Sequence, residues 1–226
     1  MRPIRRVWVT RAEPGAACTA ARLSALGFEP LTAPLLAIRP LPQAAPDLSG
    51  IAALAFTSRN GVDAFAALSP ERGLPVFTVG DATAERAREA GFGAVRSAAG
   101  AVGDLAALLA EAAPGPGPVL APGALEPAGD LPGLLRGRVE VRRLPVYEAV
   151  ETGTPAPSDW DAVLVHSPRA GRALAARGPI GARVALVISG AAAAGLGPRP
   201  AAEIRIAARP DEAAMFEALG KPPPRV

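Results

Sequence analysis

Apolar positions along this chain gather in short runs separated by longer Ala-rich stretches. The runs at residues 7–10, 53–57, 76–79, 94–97, 119–121, 162–166, 183–188 and 203–207 have the length and branched character of buried strands. The stretches between them have the length and composition of helices. Strands alternating with helices predict βαβ units on parallel sheets. The helical stretches begin at cap or turn residues: Ser58 stands before residues 60–68, and Asp81 before residues 82–90, which end at Gly91.

The pattern also repeats. FTSRNGVDAF, from Phe56, aligns without gaps on VHSPRAGRAL, from Val165, at an offset of 109 residues. The same offset lays VGDATAERA from Val79 on ISGAAAAGL from Ile188, and VRSAA from Val95 on IRIAA from Ile204. Two copies, each long enough for its own sheet, predict a pseudo-symmetric pair of α/β domains, since a solenoid needs three or more repeats. The runs at 7–10 and 119–121 remain to supply each copy with a further strand. Two extended runs complete the chain: residues 35–38, set among Pro30, Pro34, Pro40, Pro42 and Pro46, and residues 139–150, which carry Val139, Val141, Leu144, Val146 and Val150. The economical topology places residues 1–33 and 150–226 in one discontinuous α/β domain and 40–140 in an inserted one. Antiparallel linker strands at about 34–39 and 141–149 join them. Residues 1–5 and 222–226 are expected to fray.

Composition narrows the chemistry. With 226 residues, 50% of them hydrophobic and 20% charged, the chain can bury a sizeable core. It has no apolar run near the ~18 residues of a membrane span, and residues 1–9 lack the apolar region of a signal peptide, so a cytoplasmic protein is expected. A lone cysteine, Cys18, excludes an internal disulfide, and a lone histidine, His166, leaves no conventional zinc set, so no structural metal is expected. Lys221 is the only lysine, so the +3 charge rests on arginine, which suits bidentate binding of carboxylates although a GC-rich genome produces the same bias. The arginines are scattered and aromatics make up 4% of the chain, which argues against a nucleic-acid partner.

Open parallel sheets bind ligands beyond the carboxyl ends of their strands. The residues falling there are Thr10 and Arg11; Thr57, Ser58, Arg59 and Asn60; Gly80, Asp81 and Thr83; Pro122 and Gly123; His166, Ser167 and Arg169; and Ser189. Each serine or threonine is equally what a helix cap or turn requires. No GxGxxG or GxxxxGK[ST] occurs, which excludes the usual dinucleotide and nucleoside-triphosphate loops, and no GxSxG supports a hydrolase. Tyr147, the only tyrosine, lies in the second linker run, RRLPVYEAV. Its phenol is either a packed linker side chain with a bonded hydroxyl or a proton donor, protonated at neutral pH.

FTSRNGVDAF, PVFTVGDATAERAREAGF, VYEAV, HSPRAGRAL and IAARPDEAAMFEAL, in this order and spread over nearly the whole chain, resemble the uroporphyrinogen-III synthase family. The resemblance implies two α/β domains joined by a two-stranded linker. It implies a cofactor-free lyase of heme and porphyrin biosynthesis: hydroxymethylbilane, a linear tetrapyrrole with eight carboxylates, loses water and closes into uroporphyrinogen III with ring D inverted. A spirocyclic pyrrolenine is the implied intermediate, the interdomain cleft the implied site, and positioning the implied main task. Tyr147 matches the family's linker tyrosine, a candidate acid for the leaving water. Thr10, Arg11, Ser58, Asn60, Thr83, Ser167 and Ser189 match cleft-facing positions, while Ala192 departs from the Thr or Ser often found opposite Thr83. A monomer is expected, with hydroxymethylbilane as its small-molecule partner, handed over by hydroxymethylbilane synthase. A two-lobed protein that binds a small anion without catalysis is the alternative; it leaves the order of the motifs unexplained.

Overall fold

In the computed structural model, which describes residues 3–181, 183–198 and 203–222, the chain divides into two compact units, Met1–Ile38 with Val150–Val226, and Arg39–Ala149. It begins with β1 (Arg6–Val9), α1 (Gly15–Ala25) and β2 (Glu29–Thr32), and leaves the first unit through β3 (Leu36–Pro40). The second unit continues with β4 (Ala53–Phe56), α2 (Arg59–Leu68), β5 (Val76–Thr78), α3 (Asp81–Glu89) and β6 (Val95–Ser97). After α4 (Val102–Ala112), β7 (Val119–Ala124) and α5 (Leu131–Leu134), the strand β8 (Val141–Glu151) leads back. The first unit is completed by β9 (Ala162–Val165), α6 (Pro168–Ala175), β10 (Val184–Val187), α7 (Gly190–Gly195), β11 (Glu203–Ile206) and α8 (Glu212–Leu219).

The first unit holds a five-stranded sheet in the order β11-β10-β9-β1-β2, all of its pairs parallel. The second holds six strands in the order β3-β8-β7-β4-β5-β6, parallel from β8 to β6. The repeat is kept to the residue: β4 and β9 lie 109 positions apart at both ends, and the helices after them are capped by Ser58 and Ser167.

In the second unit the centre of the sheet is covered on both faces, which is why β4 is a continuous apolar run. Leu54 and Phe56 of β4 pack with Val62, Phe65 and Phe92, while the alternate residues Ala53 and Ala55 pack with Phe77, Leu105, Leu109 and Leu135. In the first unit Val7, Val9, Leu164 and Leu186 meet Leu23 of α1 and Met215 of α8. Trp8 is buried edge-on against Trp160, with ring centroids 5.2 Å apart, and its indole N–H donates to the Ala33 carbonyl at 2.8 Å.

The structure departs from the sequence expectation at four points. Glu29–Thr32 is a strand that Pro30 argues against; it is tolerated because β2 lies at the sheet edge, where a missing N–H leaves no partner unsatisfied. The linker strands are part of the second sheet. β8 pairs in parallel with β7, which would otherwise be an open edge, and β3 runs antiparallel to β8, with the Leu41 amide on the Val146 carbonyl and the Thr152 amide on the Leu35 carbonyl. The cap of α3 is Gly80, with Asp81 in the first turn. Of the residues expected to fray, Met1, Arg2 and residues 223–226 lie outside the described residues, but Arg5 is anchored, its amide donating to Asp161 Oδ2 at 2.9 Å.

Helices α6 and α7 touch backbone to backbone. A Cβ at Gly171 would stand 2.8 Å from the Ala192 carbonyl oxygen and 3.0 Å from the Gly195 carbonyl carbon. Gly171→Ala is therefore expected to lower the unfolding free energy in urea by about 1–3 kcal/mol, the usual cost of overpacking. Gly190→Ala, where nothing stands within 4 Å, is expected to leave it nearly unchanged.

Candidate functional site

Each sheet has one point where its chain order reverses, and there the loops beyond two neighbouring strands diverge to opposite sides. In the second unit this point lies between β4 and β7, in the first between β1 and β9. The switch point of the second unit therefore joins the Thr57–Ser58 turn to Pro122 and Gly123, and that of the first unit joins Thr10 and Arg11 to His166 and Ser167.

At the switch point of the second unit, Ser58 adopts an extended conformation and its Oγ accepts the Gly61 amide at 3.1 Å. Gly61 is needed there, since a Cβ would stand 2.8 Å from the Pro122 carbonyl oxygen; its absence lets the first turn of α2 sit against β7. Opposite Gly123 and Ala124 the β7–β8 register slips by one residue, pairing Gly123 with Pro145 and Ala124 with Tyr147. Such a bulge breaks the alternation of a strand, and Val146 and Tyr147 are accordingly both buried. The phenol reaches Ser58, Oη to Oγ 2.9 Å. Burial raises the Tyr147 pKa, and the Ser58 hydrogen bond offsets only part of that, so the phenol keeps its proton at neutral pH.

At the switch point of the first unit a carboxylate forms a hub that the sequence does not foreshadow. Glu212, in the first turn of α8, accepts Arg11 Nη1 at 3.1 Å and Arg22 Nη1 at 2.5 Å, and also the Thr19 hydroxyl. His166 Nε2 stands 3.4 Å from the same carboxylate. Burial of Glu212 opposes its ionisation, but the His166 ring, the Thr19 hydroxyl and the Arg11 charge outweigh it and hold the carboxyl at about 2. Burial pushes His166 the other way, below its ordinary value; Glu212 partly counters this, and the Arg11 charge adds to it. The ring is therefore neutral at pH 7. Arg22 lies in no motif and Glu212 has no assigned role within IAARPDEAAMFEAL; the signal that could have found them is their positions on α1 and at the start of α8, elements that pack on one face of the sheet.

The candidate residues divide between the two units. Ser58, Arg59, Asn60, Gly80, Thr83, Gly123 and Tyr147 belong to the second, and Thr10, Arg11, Ser167, Arg169 and Ser189 to the first. Arg59, Asn60 and Arg169 occupy first turns of helices and are half-buried. Ser167 and Ser189 cap α6 and α7 by accepting the amides of Ala170 and Ala192. Thr10 is fully buried and its hydroxyl donates to the Leu164 carbonyl at 2.6 Å, which ties β1 to β9 at the switch point. Thr83 is buried within α3, and its counterpart Ala192 is buried where α7 touches α6. Among the described residues no three His, Cys, Asp or Glu side chains stand together as a metal-binding group, and no helix is long and apolar enough to cross a membrane.

Residues 18–217 match the family model HEM4, uroporphyrinogen-III synthase HemD. The chain belongs to the uroporphyrinogen-III synthase family. With the family comes the activity, that of a cyclising hydro-lyase of porphyrin and heme biosynthesis that converts hydroxymethylbilane into uroporphyrinogen III with loss of water and inversion of ring D. Among solved structures, the chain is similar to the uroporphyrinogen-III synthetase of Helicobacter pylori, with 19% identity over 95% of this chain and 97% of that one, at a TM-score of 0.66. It is also similar to a mutant uroporphyrinogen III synthase of the extremely thermophilic bacterium Thermus thermophilus, with 19% identity over 95% and 96% and a TM-score of 0.53. At this identity the likeness is one of fold. A search of curated proteins finds no significant match.

The low pKa of Glu212 makes the stability of this synthase depend on acid. The carboxylate contributes fully above the unfolded value of about 4.5, and its contribution is lost as pH falls towards about 2, a change of up to about 3 kcal/mol. His166 acts in the same direction, because its depressed value means that protonation below about 6.5 favours the unfolded chain. Urea midpoints recorded between pH 2 and 6.5 are expected to rise steeply in the native protein. Glu212→Gln should flatten the segment below 4.5; parallel curves would show that this carboxylate is not held low.

Proposed function

We propose that in this synthase Tyr147 is the general acid that helps the bilane lose water, and that the strand-end turns of the two units hold the carboxylates of the substrate. The observation that carries the acid is the 2.9 Å contact between Tyr147 Oη and Ser58 Oγ. Ser58 Oγ already accepts the Gly61 amide, so its single proton is free to point at the phenol oxygen. As the C–O bond of the hydroxymethyl group breaks, the Tyr147 proton passes to the departing oxygen, water leaves, and the neighbouring pyrrole nitrogen supplies electrons to the methylene carbon. The Ser58 hydroxyl then stabilises the phenolate. Ring closure proceeds through the spirocyclic pyrrolenine, and the proton released when the last pyrrole regains aromaticity restores the phenol.

The rest of the task is orientation. In the second unit the substrate carboxylates meet Ser58, Arg59, Asn60, Gly80, Thr83 and Gly123; in the first they meet Thr10, Arg11, Ser167, Arg169 and Ser189. Thr10 and Thr83 contribute by shaping the strand-end turns, since their side chains are buried and the Thr83 amide is taken by the Gly80 carbonyl. Charge-assisted hydrogen bonds of about 1.5–3 kcal/mol each let several modest contacts select one folded bilane without a single dominant residue. The enzyme works in the cytoplasm as a monomer that takes the reactive bilane from hydroxymethylbilane synthase.

The activity is tested by generating hydroxymethylbilane in situ, adding the protein, oxidising the product and separating the uroporphyrin isomers by chromatography. A dominant type III isomer is expected; type I formed at the spontaneous rate would overturn the reading. Tyr147→Phe is expected to lower kcat by about 10²-fold with the fold intact, and an unchanged kcat would remove Tyr147 as the acid.

A further inference from the structure

We propose that Glu212 is a positioning residue of this reaction, fixing the Arg11 guanidinium at the switch point of the first unit so that it meets a substrate carboxylate in one orientation. The inference rests on the reading of Arg11 as a substrate contact. Arg11 follows β1 at the carboxyl edge of the sheet, and its long side chain has many rotamers to lose. Here it is braced. Its Nη1 donates to Glu212 Oε1 at 3.1 Å and lies 3.4 Å from Thr19 Oγ1. Its stem crosses the start of α1 over Gly15, where a Cβ would stand 2.6 Å from Nε.

The other local duties at the start of α8 fall to its neighbours. The capping of α8 belongs to Asp211, which accepts the Ala214 amide at 2.8 Å, and the anchoring of α8 in the core belongs to Met215, Phe216 and Leu219. The Glu212 side chain is 13% exposed, yet its carboxylate accepts donors from the β1–α1 turn and from two positions on α1, with His166 Nε2 of the β9–α6 turn 3.4 Å away. The Glu212 carboxylate is shared between Arg11, Arg22 and the Thr19 hydroxyl, so it braces Arg11 without being spent on it alone. A guanidinium held in advance loses less freedom when the substrate binds.

A double-mutant cycle on hydroxymethylbilane turnover tests this, with Arg11→Gln, Glu212→Gln and both together, and thermal melts to verify folding. If Glu212 acts through Arg11, each single change raises KM about tenfold and alters kcat less, and the double variant is no worse than Arg11→Gln alone. A merely structural Glu212 would add its full effect on top of Arg11→Gln; that additivity, or an unchanged KM in Glu212→Gln, overturns the proposal. An unchanged KM in Arg11→Gln overturns it too, by removing the contact on which it rests, whereas type III product from the native protein shows that the activity itself stands. Should Glu212→Gln not fold, the cycle is read by the same criteria with Glu212→Asp, which keeps the charge but withdraws it from Arg11.

Discussion

Both units depend on the reversal of chain order within a buried parallel sheet. A parallel sheet needs crossover helices, and a sheet extended in both directions from a central pair must send two neighbouring loops to opposite sides. The gap between those loops is where backbone amides and helix starts are left without strand partners. In this chain β1 and β9 form one such pair, and β4 and β7 the other. The residues that close the gap do so with little bulk: Gly61 lets α2 approach the Pro122 carbonyl, and the Thr10 hydroxyl ties β1 to β9.

The two switch points, related by duplication at their serine caps, differ in chemistry. Ser58 and Ser167 do the same local work, each accepting an amide three residues on. Around Ser58 the additional group is a neutral phenol that burial keeps protonated; around Ser167 it is a cluster of arginine and carboxylate whose burial is offset by mutual pairing. The roles proposed for them, a donor of protons and a holder of anions, are complementary needs of a reaction that expels water from a polycarboxylate. The repeat supplied a common frame, and substitution at few positions specialised each copy.

Much of this was legible in the sequence because the information was local or periodic. The apolar runs marked eight strands, Ser58 marked a cap, and the offset of 109 residues carried the duplication into the structure with β4 and β9 in register. What escaped depended on position in the sheet. Pro30 argues against a strand until it is known that β2 lies at an edge, and residues 141–149 look like a linker strand between domains until β7 is seen to need a partner. The Glu212 cluster escaped for a third reason: Arg11 and Glu212 are 201 positions apart, and nothing in ARPDEAAM separates a buried hub from an ordinary acidic first turn. Their meeting follows only from α1 and α8 sharing one face of the sheet.

The place of Tyr147 on a strand, and not on a loop, also has a physical reason. A regular strand sends successive side chains to opposite faces, so a tyrosine beside the buried Val146 would ordinarily face away from it. The one-residue slip opposite Gly123 and Ala124 removes that constraint, and both side chains become buried while the phenol reaches Ser58. Because β8 is hydrogen-bonded on both sides, to β7 and β3, its backbone is held more firmly than a surface loop's would be. The proposed acid gains from such a mount: the rigidity of the sheet holds the phenol, and the bulge together with the Ser58 hydrogen bond decides where it points.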